Sequence, residues 1–264
     1  MTEETKPTTK PIADQPKYDF PTEVIDLPSK GLIYPKDNPL SKGTIEIKYM
    51  TAREEDILSN QNLIKKGVVL DKLFESIIVD RSINIDDIVI GDKNAIILAT
   101  RLLGYGPEYP MKFYSSKLDD TISATVDLSK VQIKEIDESM YNNENRFEFT
   151  TPFGKNKLEF RLLTHGDEQL IEKDLKAIEK FNKDSSATIT TRMRYMILSV
   201  DGESDVGKIS KYTQNMLVRD SKAFRDYVRS ISPDVDMNFI YVHEDGDEEV
   251  VPIILGVNFF WPSA

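Results

Sequence analysis

A strand that leads into a capped helix occurs twice in this chain, and this repetition constrains the fold more than any other feature. Thr44–Thr51 and Lys157–Thr164 each alternate apolar and charged residues, as a half-buried strand does. An acid follows each final threonine by three residues, Glu54 in the first copy and Asp167 in the second. Threonine and acid at this spacing satisfy each other's free backbone amides at a helix start. We therefore predict a capped helix at both places, with a weaker cap in the second because Asp is a poorer match.

The likeness between the two halves continues beyond these helices. An apolar segment ending in Val-Asp comes next in each half, at residues 73–80 and 193–201. A helical pattern follows at residues 92–103 and 220–231, and a hairpin pattern at residues 111–126 and 237–253. The sequence thus predicts an α+β fold of two tandem modules, residues 23–135 and 150–264, each with a strand, about three helices and a β-hairpin. Duplication of one module explains the likeness; chance similarity between short amphipathic elements is the alternative.

The N-terminal part has a different composition. Residues 1–22 hold four prolines among threonines and charged residues, which predicts a disordered arm. In Leu27–Pro35, turn-forming residues flank a short apolar run, which predicts an extended segment that lies on another surface. Leu32, Ile33 and Tyr34 are therefore candidate partner-binding residues.

Composition excludes several kinds of chemistry. The 264 residues include no cysteine and two histidines, which removes disulfides, thiolate zinc, iron–sulfur clusters and thiol catalysis. The net charge of −11 works against nucleic acid and anionic membranes as partners. No apolar run approaches the roughly 18 residues of a membrane span. We expect an intracellular, soluble protein with no cofactor and no metal; the oligomeric state stays open.

One segment imitates a nucleotide-binding loop. Gly202–Lys208 matches the spacing G-x-x-x-x-G-K, but the next residue is Ile209 where magnesium binding needs Ser or Thr. Glu203 and Asp205 place carboxylates where phosphates would lie. The residues before the loop, up to Val200, have helical periodicity, so we predict that the required strand is missing. An NTPase that uses this loop is the alternative function, and accidental similarity is the simpler interpretation.

Charge is unevenly distributed near the C-terminus. Gly207–Arg229 holds six basic residues and two acids, whereas Ser230–Ala264 holds seven acids and no Lys or Arg. The basic helix and the acidic hairpin could pair within the chain, which is the simpler interpretation, or face neighbouring subunits. The acidic run His243–Glu249 lacks the alternating ligand spacing of a calcium loop, so a solvated hairpin tip is favoured over a cation site.

The C-terminal end carries three consecutive aromatic residues, Phe259, Phe260 and Trp261. Successive side chains of a strand point to opposite faces, so the three cannot all face one core from a strand. Large aromatic side chains on an accessible end are suited to anchoring another protein. These residues are the second group of candidate partner-binding residues, and a terminal strand packed into the body is the alternative.

Three blocks together resemble the baseplate hub assembly proteins of T-even-like, contractile-tailed bacteriophages. They are Leu27–Pro35, Gly91–Tyr109 and Phe259–Pro262, and the second, with Gly91-Asp92 and Tyr105-Gly106-Pro107-Glu108-Tyr109, is the most specific. The resemblance extends from about residue 24 to the end. It implies a non-enzymatic role in building the hub of the tail baseplate, as an assembly chaperone or as a retained component, with other hub proteins as partners. The chain would then lie in the host cytoplasm during assembly and, if retained, in the virion baseplate.

The resemblance also implies that hairpins of relatives can carry Cys-x-x-Cys knuckles, like a zinc ribbon. The corresponding residues here, 114–117 and 242–246, contain no cysteine. We therefore expect packing and strand pairing to hold these hairpins.

Overall fold

Short antiparallel sheets alternate with groups of helices along the chain. The computed structural model describes residues 20–181 and 187–261; residues 1–19, which carry most of the predicted disordered arm, lie outside this range. The strands are β1 (Thr22–Asp26), β2 (Thr44–Lys48), β3 (Glu108–Ser115), β4 (Asp120–Asp127), β5 (Phe147–Thr150), β6 (Lys157–Phe160), β7 (Ile197–Val200), β8 (Asn238–Val242) and β9 (Glu248–Pro252). The helices are α1 (Ala52–Ser59), α2 (Gln61–Lys66), α3 (Val69–Ile77), α4 (Ile90–Tyr105), α5 (His165–Phe181), α6 (Thr188–Met196), α7 (Val206–Asn215) and α8 (Val218–Ile231).

The strands form separate small sheets, so the predicted α+β class is confirmed. β1 pairs with β2, β3 with β4, and β8 with β9, while β5, β6 and β7 form a three-stranded sheet in that order. Both predicted hairpins, β3–β4 and β8–β9, are present. The helical periodicity up to Val200 is correct only as far as Met196, where α6 ends. The next four residues form β7 because β6 offers them a free edge, with Phe160 opposite Ile197 and Leu158 opposite Val200.

Both predicted helix caps are present, and they share a third partner. Glu54 accepts hydrogen bonds from the backbone amide and the hydroxyl of Thr51, at 2.8 and 2.6 Å. Asp167 accepts the same two bonds from Thr164, at 2.9 and 3.1 Å. A basic residue three positions before each threonine pairs with the capping acid; these residues are Lys48 and Arg161. The second cap therefore has the contacts of the first, although Asp replaces Glu.

A buried aspartate near the start of the last helix fastens the first loop of each half. Asp92 of α4 accepts bonds from the Ser29 amide at 2.9 Å, the Ser29 hydroxyl at 2.6 Å and the Tyr34 hydroxyl at 2.7 Å. Asp220 of α8 accepts bonds from the amides of Phe153 and Gly154, both at 2.8 Å. Each aspartate thus joins the loop between the first two strands of its half to the helix before its hairpin. These matching contacts agree with duplication, which remains a prediction.

The segment Leu27–Pro35 is not extended, so that expectation is wrong. It is a series of tight turns in which the amides of Lys30, Leu32 and Tyr34 each donate to a carbonyl three residues earlier. The turns bring Ser29 and Tyr34 to the same carboxylate of Asp92. The buried hydrogen bonds, which an extended chain could not make together, explain the difference.

The two predicted modules share one continuous core in the described residues. Backbone bonds join them where the Ile90 amide donates to Leu163 and the His165 amide donates to Ile88. A β carbon on Gly91 would lie 1.8 Å from the carbonyl oxygen of Pro233, so only glycine allows this approach of α4 to the second half. The module boundaries themselves remain a prediction.

The first helix cap leads to a pH-dependent prediction. Burial alone would raise the pKa of Glu54, but hydrogen bonds from Ser76, Thr51 and Lys48 lower it from 4.5 to about 2. A carboxylate with a lowered pKa stabilises the folded state fully above its unfolded value, and this contribution is lost as the pH falls through the folded value. We expect Glu54→Gln to reduce the free energy of unfolding by about 2 kcal/mol near neutral pH, and this deficit to shrink as the pH falls from 4.5 towards 2.

Urea unfolding of both proteins across this pH range measures the deficit. Glu23→Gln removes an exposed carboxylate and serves as the control. A deficit that does not change with pH would contradict the role given to Glu54.

Candidate protein–protein interface

The two hairpins pack against each other through one face of each. The Phe113 ring on β3 contacts the Tyr241 ring on β8, with centroids 5.3 Å apart. The Ser115 hydroxyl donates to Glu249 of β9 at 2.6 Å, and a ring nitrogen of His243 lies 2.9 Å from the same carboxylate oxygen. These bonds, with the Ser115 bond contributing most, lower the pKa of Glu249. Packing and pairing hold the hairpins, as expected for a chain without cysteine.

The hairpin tips are joined by charge. Lys117 in the β3–β4 turn pairs with Asp245 and Asp247 in the β8–β9 turn. These bonds raise the pKa of Lys117 and lower those of both aspartates. The acidic tip therefore pairs with the first hairpin, so the simpler interpretation, in which it pairs with the basic helix α8, is wrong.

The outward faces of the two hairpins differ in chemistry. In the second hairpin Ile240 and Val250 lie directly opposite each other and are 52% and 61% exposed. Val242, on the same face, and Ile254, just after β9, are 58% and 83% exposed. We call these four residues the outer hairpin face.

The first hairpin provides an internal comparison. Its outward positions are mostly polar, and all are exposed: Glu108, Pro110, Lys112, Tyr114, Thr121, Ser123 and Thr125. Two hairpins in one chain thus pack through similar inner faces but offer different outer ones. Clustered exposed aliphatic residues mark interaction sites more often than ordinary solvated surface does.

The N-terminal candidate residues lie mainly inside the protein. Ile33 and Tyr34 are buried, and Leu32 is half-buried. The Tyr34 hydroxyl donates to Asp92 and accepts a bond from the Val89 amide at 3.1 Å. Ile33 and Tyr34 therefore support the chain's own core and are not offered to a partner, because the turns of this segment direct them inward.

The C-terminal candidate residues are also largely internal. Val257–Phe260 forms one turn of 3₁₀ helix, not a strand. This turn lets both Phe259 and Phe260 enter the core, with the Phe259 ring 5.0 Å from that of Tyr109. Trp261 is half-buried and packs against the core. The expectation of accessible anchors is wrong for both phenylalanines.

The phosphate-loop motif does follow a strand, contrary to expectation, since β7 ends at Val200 and α7 begins at Val206. Asp205 Oδ1 accepts a bond from the Lys208 amide at 2.8 Å, which occupies the helix start where a phosphate would bind. The Lys208 ammonium pairs with Glu203. Ile209 is buried. The chain's own carboxylates therefore take the positions that a nucleotide would need.

Comparison with known protein families shows which family the chain belongs to. Residues 23–225 match the family model described as T4 bacteriophage base plate protein. The chain belongs to this family. Comparisons with curated proteins and with solved structures found no match. No helix in the described parts of the chain is long and apolar enough to cross a membrane.

The baseplate match covers the Gly91–Tyr109 block but ends within α8, so β8, β9 and the terminal aromatic residues lie beyond it. The sequence predictions do not include the outer hairpin face, although the residue pattern of the second hairpin indicates it. Phe239–Val242 and Val250–Ile254 are apolar at nearly every position. A strand with one solvated face alternates apolar and polar residues, so continuous apolar runs in a two-stranded hairpin indicate that both faces are covered.

The burial of the aromatic end leads to a stability prediction for this baseplate protein. We expect Phe259→Ala to lower the free energy of unfolding by about 3 to 5 kcal/mol, because it leaves a cavity in the core. Trp261→Ala should cost clearly less, since that side chain is only half-buried. Urea unfolding measures both. If Phe259→Ala is as stable as the wild type but no longer binds baseplate proteins, then Phe259 is an accessible partner-binding residue and its burial in the core is wrong.

Proposed function

We propose that this baseplate protein acts in hub assembly through protein–protein contacts and makes or breaks no covalent bond. Its partners are other hub proteins, and it is either an assembly chaperone or a retained hub component. Assembly takes place in the host cytoplasm. The observation that carries the proposal is the outer hairpin face, an aliphatic surface on a hairpin whose inner face is already packed.

The outer hairpin face has the features of an interface core. Its four side chains are β-branched aliphatics that are each more than half exposed. Covering them would remove apolar area from water, which is favourable at about 25 cal/mol per Å². The cross-strand pairing of Ile240 with Val250 holds this surface in a fixed shape before a partner arrives, which limits the entropy lost on binding.

Acidic residues at the hairpin tip add a charge preference. Glu244, Asp245, Asp247 and Glu248 are exposed beside the aliphatic patch, and Lys117 is the basic residue that pairs with two of them. A partner with an apolar patch bordered by Lys or Arg would be attracted from a distance and held in register.

The central test replaces the aliphatic groups without disturbing the hairpin. Ile240→Thr with Val250→Thr keeps β-branched residues, which favour strands, but makes the surface polar. We expect a tagged double variant to recover at least about tenfold less of the other baseplate proteins from infected cells than the wild type does, a change of about 1.4 kcal/mol or more.

Val206→Thr with Val218→Thr is the matched control, because these valines are 71% and 81% exposed outside the outer hairpin face. Equal recovery by the test and control variants would refute the role of the hairpin. Mass spectrometry of purified virions then separates the two forms of the proposal, since a retained component is present in stoichiometric copies and a chaperone is not.

The non-enzymatic part of the proposal is tested with nucleotide. Because Asp205 and Glu203 occupy the loop, we expect magnesium ATP to leave the thermal unfolding midpoint unchanged. Stabilisation by magnesium ATP that disappears in Lys208→Ala would support the NTPase alternative. Lys211→Ala, another exposed lysine of α7, is the control.

A further inference from the structure

A cleft of about 880 Å³ lies between α6 and α8 and reaches the base of the second hairpin at Asn238, Pro252 and Ile253, although none of the four residues of the outer hairpin face lines it. The two helices approach each other where the Ser221 hydroxyl lies 3.5 Å from the Met193 sulfur. The floor is formed by segments of both modules, joined by an antiparallel bridge between Ile133 and Val235. A volume of this size is within the range of ligand-binding pockets.

The walls of the cleft are apolar and include exposed aliphatic residues. Ile189 of α6 is 48% exposed and Ile133 of the floor is 44% exposed, and both line the space with Met196 and Val228. A groove between two helices with aliphatic walls matches the way amphipathic helices are bound by other proteins. Apolar side chains of a bound segment would therefore find matching surface here.

Three arginines, Arg192, Arg225 and Arg229, also line the cleft. The Arg192 guanidinium lies 3.7 Å from Glu168, and that of Arg229 lies 3.6 Å from Asp226. Arg225 donates through Nε to the Ser221 carbonyl at 3.2 Å, and its two terminal nitrogens have no hydrogen-bond partner among the described residues. Long, partly exposed ion pairs of this kind contribute little, so these guanidinium groups can bind an incoming carboxylate.

The other charged groups of the cleft, Lys134, Asp234 and Asp236, make hydrogen bonds to neutral groups of the chain. The Lys134 ammonium donates to carbonyls at the end of α8, including Ser232 at 3.0 Å. Asp234 accepts from the Asn94 amide at 2.9 Å, and Asp236 accepts from Asn238 at 2.7 Å. The lining holds four basic residues, Lys134, Arg192, Arg225 and Arg229, against two acids, Asp234 and Asp236, so the cleft combines aliphatic walls with a net positive charge.

We propose that this cleft binds an acidic amphipathic helical segment of another protein. Apolar side chains of the segment would lie against Ile189, Met196 and Val228, and flanking carboxylates would bind Arg225 and Arg229. A purely apolar ligand would leave the arginines unused, and a nucleic acid would not use the aliphatic walls. This contact adjoins the outer hairpin face but uses none of its four residues, and it stands even if that face binds nothing.

The test uses the full chain and a synthetic probe. The probe is a fluorescein-labelled peptide of about 15 residues, long enough to form a helix, with leucines on one face and glutamates beside them. We expect fluorescence anisotropy to show saturable binding. Two control peptides, with glutamates changed to lysines or leucines to serines, should bind at least about tenfold more weakly.

Charge reversal on the protein identifies the site. Arg225→Glu with Arg229→Glu should abolish binding of the acidic peptide and create binding of the lysine peptide. Lys65→Glu with Lys211→Glu makes the same change in net charge at exposed positions outside the cleft and should leave acidic-peptide binding unchanged. Circular dichroism confirms that each variant is folded.

Several results would overturn the proposal. They are no binding of the acidic peptide, binding that is unaffected by Arg225→Glu with Arg229→Glu, and equal binding of the serine peptide. Tighter peptide binding after removal of residues 1–19 would assign the cleft to the chain's own N-terminal segment. Self-association in sedimentation that the arginine variant abolishes would assign it to a second copy.

Discussion

The buried carboxylate of Asp92 is the interaction on which the rest of the structure depends. Burial raises the pKa of Asp92, and the bonds from Ser29 and Tyr34 act in the opposite direction. A buried acid is tolerated only when its oxygens are hydrogen-bonded, so the turns of Leu27–Pro35 must stay in place. The preceding residue, Gly91, has no side chain and so allows α4 to pack closely against Pro233 of the second half. The dipeptide Gly91-Asp92 thus connects α4 to the first loop and to the second module. Asp220 holds the equivalent loop in the second half.

This arrangement determines which surfaces remain for partners. Tyr34, Phe259 and Phe260 are committed to the interior, so using them for binding would mean opening the core. Binding through the outer hairpin face or the arginine-lined cleft would leave the core closed, because these surfaces already expose apolar groups. In our proposals the baseplate protein binds partners through these two adjoining surfaces without opening its shared core.

Local patterns predicted the fold well, and long-range packing explains the failures. The helix caps at Thr51 and Thr164 and both hairpins depend on residues close in sequence, so they could be predicted. The burial of Tyr34 depends on Asp92, 58 residues away, and no local pattern reports that contact. The helical prediction is wrong for β7, because its apolar residues continue the period of α6 and only pairing with β6 makes them a strand. The apolar runs Phe239–Val242 and Val250–Ile254 are enough to predict the outer hairpin face, whereas the cleft, built from distant segments, could not be predicted.

Hydrogen–deuterium exchange of the chain, free and bound to baseplate proteins, tests the central claim most directly. Backbone amides exchange slowly where structure or a partner protects them. The account predicts that binding adds protection in β8, β9 and Ile254, and leaves Leu27–Pro35 and Val257–Trp261 as slow as in the free chain. Rapid exchange of those two segments in the free chain, with protection gained there on binding and none in the second hairpin, would contradict it.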